Sequence, residues 1–297
     1  MLRSLRISSR TLALTVLALF AFAGNSLLCR LALKHTAIDA ASFTTIRLVG
    51  GAVVLALLML RRQANTGPQA AGLSGAGRIT AGNWPSALAL FAYAAAFSFA
   101  YIDLTAASGA LLLFGAVQAT MVAYGLWAGE RLHTQRLLGL LLALAGLVGL
   151  LLPGVSAPPW QGAVLMVAAG IAWGVYSLRG KGQGDALAAT AGNFIRTVPM
   201  AAALAAAAWP WARWDAEGAL LALVSGAVTS ALGYAIWYAA LPALRVTTAA
   251  VVQLSVPVIT AVAGVALLAE PLTLRLMLAS AAVLGGIGWV VLGRRSG

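Results

Sequence analysis

The sequence predicts an all-α integral membrane protein of ten transmembrane helices, arranged as two inverted five-helix repeats. Three observations carry that prediction. The chain of 297 residues is 62% hydrophobic and 9% charged, with a mean hydropathy of +0.94, and a soluble domain of that composition could not cover its surface with polar side chains. It divides into ten apolar runs of about the 20 residues needed to cross roughly 30 Å of hydrocarbon. Finally, its second half repeats its first, which sets the architecture. Arg30 and Arg47 precede Arg179 and Arg196 by 149 residues, within RLALKHTAIDAASFTTIR (30–47) and RGKGQGDALAATAGNFIR (179–196). The stretch GERLHTQRLLGLLLALAG (129–146) precedes AEPLTLRLMLASAAVLGG (269–286) by 140, matching Glu130 with Glu270, Leu132 with Leu272, Leu138 with Leu278, Leu144 with Leu284 and Gly146 with Gly286.

The first run, Thr11 to Leu33, is followed by His35 and Asp39, and the second spans Ala41 to Leu60. The first is preceded by three arginines and contains Ala21-Phe22-Ala23, like a secretory cleavage site, but cleavage would leave the sixth run without its repeat partner. A polar insert, 63–83, then accounts for the change in repeat offset; its Gly- and Ala-rich part, Thr66 to Asn83, reads as a flexible connector. Trp84 to Ile102 ends at Asp103, and Ala106 to Ala128 ends before Glu130 and His133. Arg136 to Leu152 closes the first repeat (1–155), and Trp160 to Leu178 opens the second (156–297). Asp185 precedes Ala189 to Trp209; Asp215 and Glu217 precede Leu220 to Leu241; Glu270 separates Val246 to Ala269 from Thr273 to Leu292. Trp84, Trp127, Trp160, Trp209, Trp211 and Trp214 fall at run ends and read as interface anchors. Five helices per repeat is odd, so the second repeat enters the membrane from the opposite side. Two inverted halves around a midplane site are a common transporter plan, although fold alone does not prove function.

Orientation follows from the basic residues. One side collects Arg3, Arg6, Arg10, Arg61, Arg62, Arg78, Arg131, Arg136, Arg179, Lys181, Arg245, Arg294 and Arg295, the other only Arg30, Lys34, Arg213 and Arg275. By the positive-inside rule both termini are expected in the cytoplasm of a bacterial-type inner membrane. The net charge of +12 is then a topology signal, and nucleic acid is not an expected partner, because the cations are spread over short loops. Membrane lipid and a small-molecule substrate are the expected partners. Cys29 is the only cysteine, so no intramolecular disulfide forms.

An enzyme is not expected. The sequence offers no metal-ligand cluster, no Gly-rich phosphate loop and no serine, histidine and acid set that could meet; no cofactor and no metal is expected. A channel would share the architecture. The carboxylates fall at run ends or in loops, so facilitated exchange or uniport is expected instead of a buried proton relay.

SFTTIRLVGGAVVLALLML (42–60) resembles the second-helix signature of the drug/metabolite transporter superfamily, an aromatic, an arginine and a long aliphatic run. LAEPLTLRLMLASAAVLGGIGWVVL (268–292) is similar to that superfamily's repeat ending, a Glu-Pro-Leu turn followed by a Gly-rich helix. The resemblance covers nearly the whole chain as two EamA-type repeats, and among subfamilies the ten-helix exporters of aromatic amino acids are the most similar. It implies export of small amphipathic metabolites, with multidrug or quaternary ammonium efflux as the alternative within the same fold. The first half departs from the pattern with Arg131 in place of Pro271 and Val117 in place of Pro257.

Substrate recognition is expected from polar and aromatic residues near helix centres, where lipid exposure is unfavourable. These are Asn25 and Ser26, Tyr93, Phe97, Ser98 and Tyr101, Gln118, Trp173 and Tyr176, Asn193, Tyr234, Trp237 and Tyr238, and Gln253, Ser255 and Thr260. Tyr93, Phe97 and Tyr101 share a helical face, and Phe97 corresponds to Trp237 across the repeat. Facing rings would hold a flat ligand; the plainer reading is that they fill helix interfaces. Pro257 is expected to kink its helix and free the Gln253 carbonyl. Arg47 and Arg196, some seven residues into their helices, read either as a carboxylate clamp or as gating or structural charges. The same topology places Glu270 on the side of Arg47 and Glu130 on that of Arg196, so cross-repeat ion pairs are expected as gates. Gly139, Gly146 and Gly149, with Gly285, Gly286 and Gly288, permit close helix packing, either between the halves or in a homodimer.

Overall fold

The computed structural model describes residues 8–71, 81–128, 134–152, 154, 157–180, 185–240, 243–244, 252–253 and 255–292. Among them there are helices and turns and no strand. The helices are α1 (Ser9–His35), α2 (Ala40–Ala71), α3 (Trp84–Ala100), α4 (Ala106–Trp127), α5 (Thr134–Leu151), α6 (Trp160–Gly180), α7 (Ala186–Ala208), α8 (216–240), α9 (Ser255–Leu268) and α10 (Leu274–Leu292). Ser9–His35, Ala40–Asn65, Ala106–Gly125, Trp160–Gly180 and Ala216–Trp237 are each long and apolar enough to cross a membrane; Trp84–Ala100, Leu141–Leu151, Ser255–Leu268 and Leu274–Trp289 are apolar but shorter. Large hydrophobics such as Leu17, Phe20, Val53, Leu57 and Leu278 are exposed, as a lipid-facing surface requires.

Polar caps start several helices where the sequence changes from loop to apolar run. Asn83 Oδ1 accepts from Ser86 N at 2.9 Å and Asp185 Oδ1 from Ala188 N at 3.1 Å, satisfying donors that a helix start leaves unpaired. Asp39 caps α2 through Ala41 N and Ser42 N at 2.8 and 2.9 Å and also accepts from Arg213 N at 2.8 Å. Burial pushes the pKa of this carboxyl up, but donors from Ser42, Arg213 and Ala41 outweigh that and hold it below its ordinary 3.8.

The turns alternate between two faces. Asp39 and Arg213 meet on one face, and on that face Arg30 reaches the α3–α4 turn and Glu270 while Arg275 Nη1 donates to the Leu152 carbonyl at 2.7 Å. The turns after α1, α3, α5, α7 and α9 therefore lie together, and α6 enters from the face opposite to α1. Packing repeats the same inversion: α2 packs on α7, α5 on α10 and α4 on α9, while α3 on α6 is matched by α8 on α1, and α4 on α6 by α9 on α1. Gly286 explains one contact, since a Cβ there would overlap the Gly139 carbonyl and the Ala143 backbone. Gly146 and Gly286 thus pack α5 against α10, whereas Gly149, Gly285 and Gly288 face open space.

One expectation about regularity changes. The insert is not flexible throughout: α2 continues to Ala71, because Arg61, Arg62, Gln63 and Ala64 are good helix formers and Arg62 Nη1 is held by Asp185 at 2.8 Å. Residues 81–83 are held as well, by Arg196 on the Ala81 carbonyl and by Asn193 on Asn83 N. Pro257 lies near the start of the described helix Ser255–Leu268; Val252 and Gln253 before it are also helical, and residue 254 between them lies outside the described residues.

Candidate functional site

The structure centres on Arg47. It is 1% exposed, and two neighbours fix it there. On α8 the chain leaves α-geometry after Ala216–Val224, runs as a π-helix over Ser225–Leu232 and returns to α over Gly233–Ala240; such segments turn extra side chains toward a site. Gly226, in this segment, meets α2 so closely that a Cβ would overlap the Arg47 carbonyl. Ser225, Thr229 and Ser230 consequently face α1 and α2.

A polar network results. Arg47 Nε donates to Ser230 Oγ at 3.3 Å and Nη2 to the Tyr93 hydroxyl at 3.2 Å. Asn25 Nδ2 donates to the same hydroxyl at 3.2 Å, while Asn25 Oδ1 accepts from Ser225 Oγ at 2.7 Å and Thr229 Oγ1 at 3.3 Å. The guanidinium carbon lies 4.9 Å from the Phe97 ring centre and 5.4 Å from that of Tyr93, within cation–π range. Nη1 is buried and has no hydrogen-bond partner.

Aromatic rings extend from this point in both directions. Tyr101 packs on Phe97 at 4.8 Å, Phe97 on Tyr93 at 5.4 Å, Tyr93 on Trp173 at 4.8 Å and Trp173 on Tyr234 at 4.9 Å. Phe22 then links Tyr234, at 6.0 Å, to Trp237, at 5.8 Å. The chain of rings runs through α3, α6, α8 and α1, thereby crossing both halves. Phe97 and Trp237 are joined through it instead of facing each other across a gap.

Other predicted residues lie elsewhere. Tyr176 is buried and packs on Trp173 at 5.5 Å; Asn193 Oδ1 accepts from Asn83 N at the start of α3, at 2.9 Å. Gln118 is buried in α4, Thr260 is buried in α9 with an unpartnered hydroxyl, and Ser255 Oγ donates to the Val252 carbonyl. Gln253 is half-buried beside Val252. The Tyr238 side chain and Glu130 lie outside the described residues.

The ion pairing differs from expectation. Glu270 pairs with Arg30, not Arg47: Arg30 Nε lies 3.0 Å from Oε1, and its Nη1 donates to the Tyr101 and Ile102 carbonyls at 2.9 and 2.8 Å. Glu270 Oε2 accepts from Ala106 N at 2.7 Å and so caps α4. The carboxylate reaches inward because Ala269 adopts a left-handed backbone, φ 49°, an uncommon conformation for a residue with a Cβ. Arg47 is too deep to meet it. Arg196, its repeat equivalent, instead extends to the Ala81 and Gly192 carbonyls, both at 2.8 Å. The two arginines are equal in sequence position and unequal in environment.

Sequence reasoning missed Phe22, Ser225, Thr229, Ser230 and the inward role of Arg30. A signal existed for the α8 residues: Ser225, Thr229 and Ser230 interrupt an otherwise apolar span, with two of them one helical turn apart.

Residues 160–292 match the model of the EamA-like transporter family. An uncharacterized protein of Pseudomonas aeruginosa is 56% identical over 283 residues, covering 95% of this chain and 94% of its own. A protein of known crystal structure superimposes with a TM-score of 0.63 at 19% identity, over 97% of this chain and 99% of that one, which is a likeness of fold.

Proposed function

Because residues 160–292 match the EamA-like transporter family, we propose that the chain is a transporter of that family and exports small amphipathic metabolites, aromatic amino acids in particular. Export would proceed by alternating access of the two inverted halves, as facilitated transport or exchange, across an inner membrane with both termini cytoplasmic. The observation that carries this reading is the chain of rings from Tyr101 to Trp237, which crosses both halves and adjoins the Arg47 network. Rings edge-on or tilted at 4.8 to 6.0 Å can separate to admit a flat solute and close again when it leaves. Quaternary ammonium efflux is disfavoured by Arg47, whose cation would repel such a solute in a low-dielectric interior.

In this reading Arg30 and Glu270 lock the outer face. Their side chains are 11% and 4% exposed, against 43% and 16% for Arg62 and Asp185 on the other face. Losing one member of a buried pair strands the other, whereas an exposed pair contributes little. The face of Arg62 and Asp185 is then the easier one to open.

Uptake of labelled phenylalanine, tryptophan, threonine and a quaternary ammonium dye into proteoliposomes tests the substrate class. Saturable uptake of phenylalanine and tryptophan, with threonine and the dye at background, is the expected result. Uptake of the dye alone would overturn the assignment to aromatic amino acids.

A further inference from the structure

Resting on the reading of the chain as a solute carrier, we propose that Arg47 recognises the solute's carboxylate, making the substrate class one of carboxylic acids held by their anionic end. Three charged side chains are buried among the described residues, Arg30, Arg47 and Glu270. Arg30 and Glu270 neutralise each other at 3.0 Å. Arg47 is left as an unbalanced cation in the interior, and a guanidinium does not shed its proton.

An isolated ion in a low-dielectric interior is strongly disfavoured, and the side chains around Arg47 compensate it only in part. Ser230 and Tyr93 supply neutral oxygens, and Tyr93 and Phe97 supply ring faces. The remaining donor, Nη1, is buried and unpartnered. A guanidinium is suited to a planar anion that takes two parallel N–H donors, and a carboxylate at Nη1 would supply both the missing acceptor and the missing charge. The adjoining rings define the rest of such a ligand: its body would lie along Phe97 and Tyr93, toward Trp173.

Arg196 does not duplicate this site. Its Nη1 already donates to the Ala81 and Gly192 carbonyls. The inverted repeat thus supplies one buried recognition arginine, not a symmetric pair.

The test measures binding to the purified full chain with two matched pairs of probes, 3-phenylpropionate with phenethylamine and butyrate with propylamine. Each pair exchanges the carboxylate for an ammonium on a similar body. In both pairs the acid is expected to bind and the amine not to. Arg47→Gln is expected to weaken acid binding by about 10- to 100-fold, as loss of a charge-assisted hydrogen bond implies, and Arg47→Lys by less. Acid-induced thermal stabilisation should disappear in Arg47→Gln; a merely structural arginine would change the unliganded melting temperature and leave that increment intact. Amines binding as tightly as acids, neither acid binding, or full acid affinity in Arg47→Gln would overturn the proposal. Acids preferred in both pairs without preference for the phenyl body would retain it and overturn the aromatic substrate class instead.

Discussion

Glu270→Ala is expected to lower the stability of the purified protein by about 3–5 kcal/mol, the usual consequence of stranding one member of a buried ion pair. Two separate losses combine. Arg30 keeps the Tyr101 and Ile102 carbonyls but loses its counter-charge, and Ala106 N at the start of α4 loses its acceptor. Glu270→Gln distinguishes them, because an amide oxygen can still cap α4 while the charge is gone; it should fall between wild type and alanine. Arg30→Met combined with Glu270→Leu should recover much of the loss, since an apolar pair strands no charge. Thermal unfolding in one detergent, with all variants compared, checks the series. A melting temperature for Glu270→Ala equal to wild type would show that the pair contributes no net stability.

Gly226→Val is expected to disrupt the packing of α8 on α2. The position has no room for a first carbon, let alone three: the nearest atoms are the carbonyl and Cα of Arg47, which belong to the backbone of α2 and cannot rotate away. Relief requires α8 to move off α2, which breaks the bond from Arg47 to Ser230 and shifts Ser225 and Thr229 from Asn25. Overpacking of this kind costs about 1–3 kcal/mol, and transport should fall further than stability does because the recognition network is displaced. Gly149→Val is the control, since a Cβ at Gly149 meets no atom. Initial uptake rates normalised to folded protein separate the two effects; equal rates for Gly226→Val and wild type would mean that the α2–α8 crossing does not position the site.

Much of the fold was legible because it depends on length and repetition. Runs such as Trp84 to Ile102 and Trp160 to Leu178 differ from the helices Trp84–Ala100 and Trp160–Gly180 only at their ends, because a continuous apolar stretch leaves the chain little choice in a bilayer. The candidate residues Asn25, Tyr93, Phe97, Trp173, Tyr234 and Trp237 were legible by the same physics, as polar or aromatic groups where lipid would not tolerate them or had no need of them. Three features were not. The π-helical segment of α8 depends on how Gly226 meets α2 and has no local signature. The partner of Glu270 depended on depth: Arg30 and Arg47 share a face in sequence, and only the left-handed turn at Ala269 and the α3–α4 turn decide which one the carboxylate meets. The inequality of Arg47 and Arg196 is likewise invisible to a repeat comparison, which assigns both the same position.

The claim on which the account depends is that this bundle is a carrier whose halves open alternately. Counterflow measures it most directly: proteoliposomes loaded with unlabelled phenylalanine, or left empty, are diluted into a trace of labelled phenylalanine. The account predicts faster, transiently concentrative uptake in the loaded vesicles, because an occupied carrier returns across the membrane with its load. Identical, non-saturating uptake in loaded and empty vesicles would contradict it and identify the bundle as a pore.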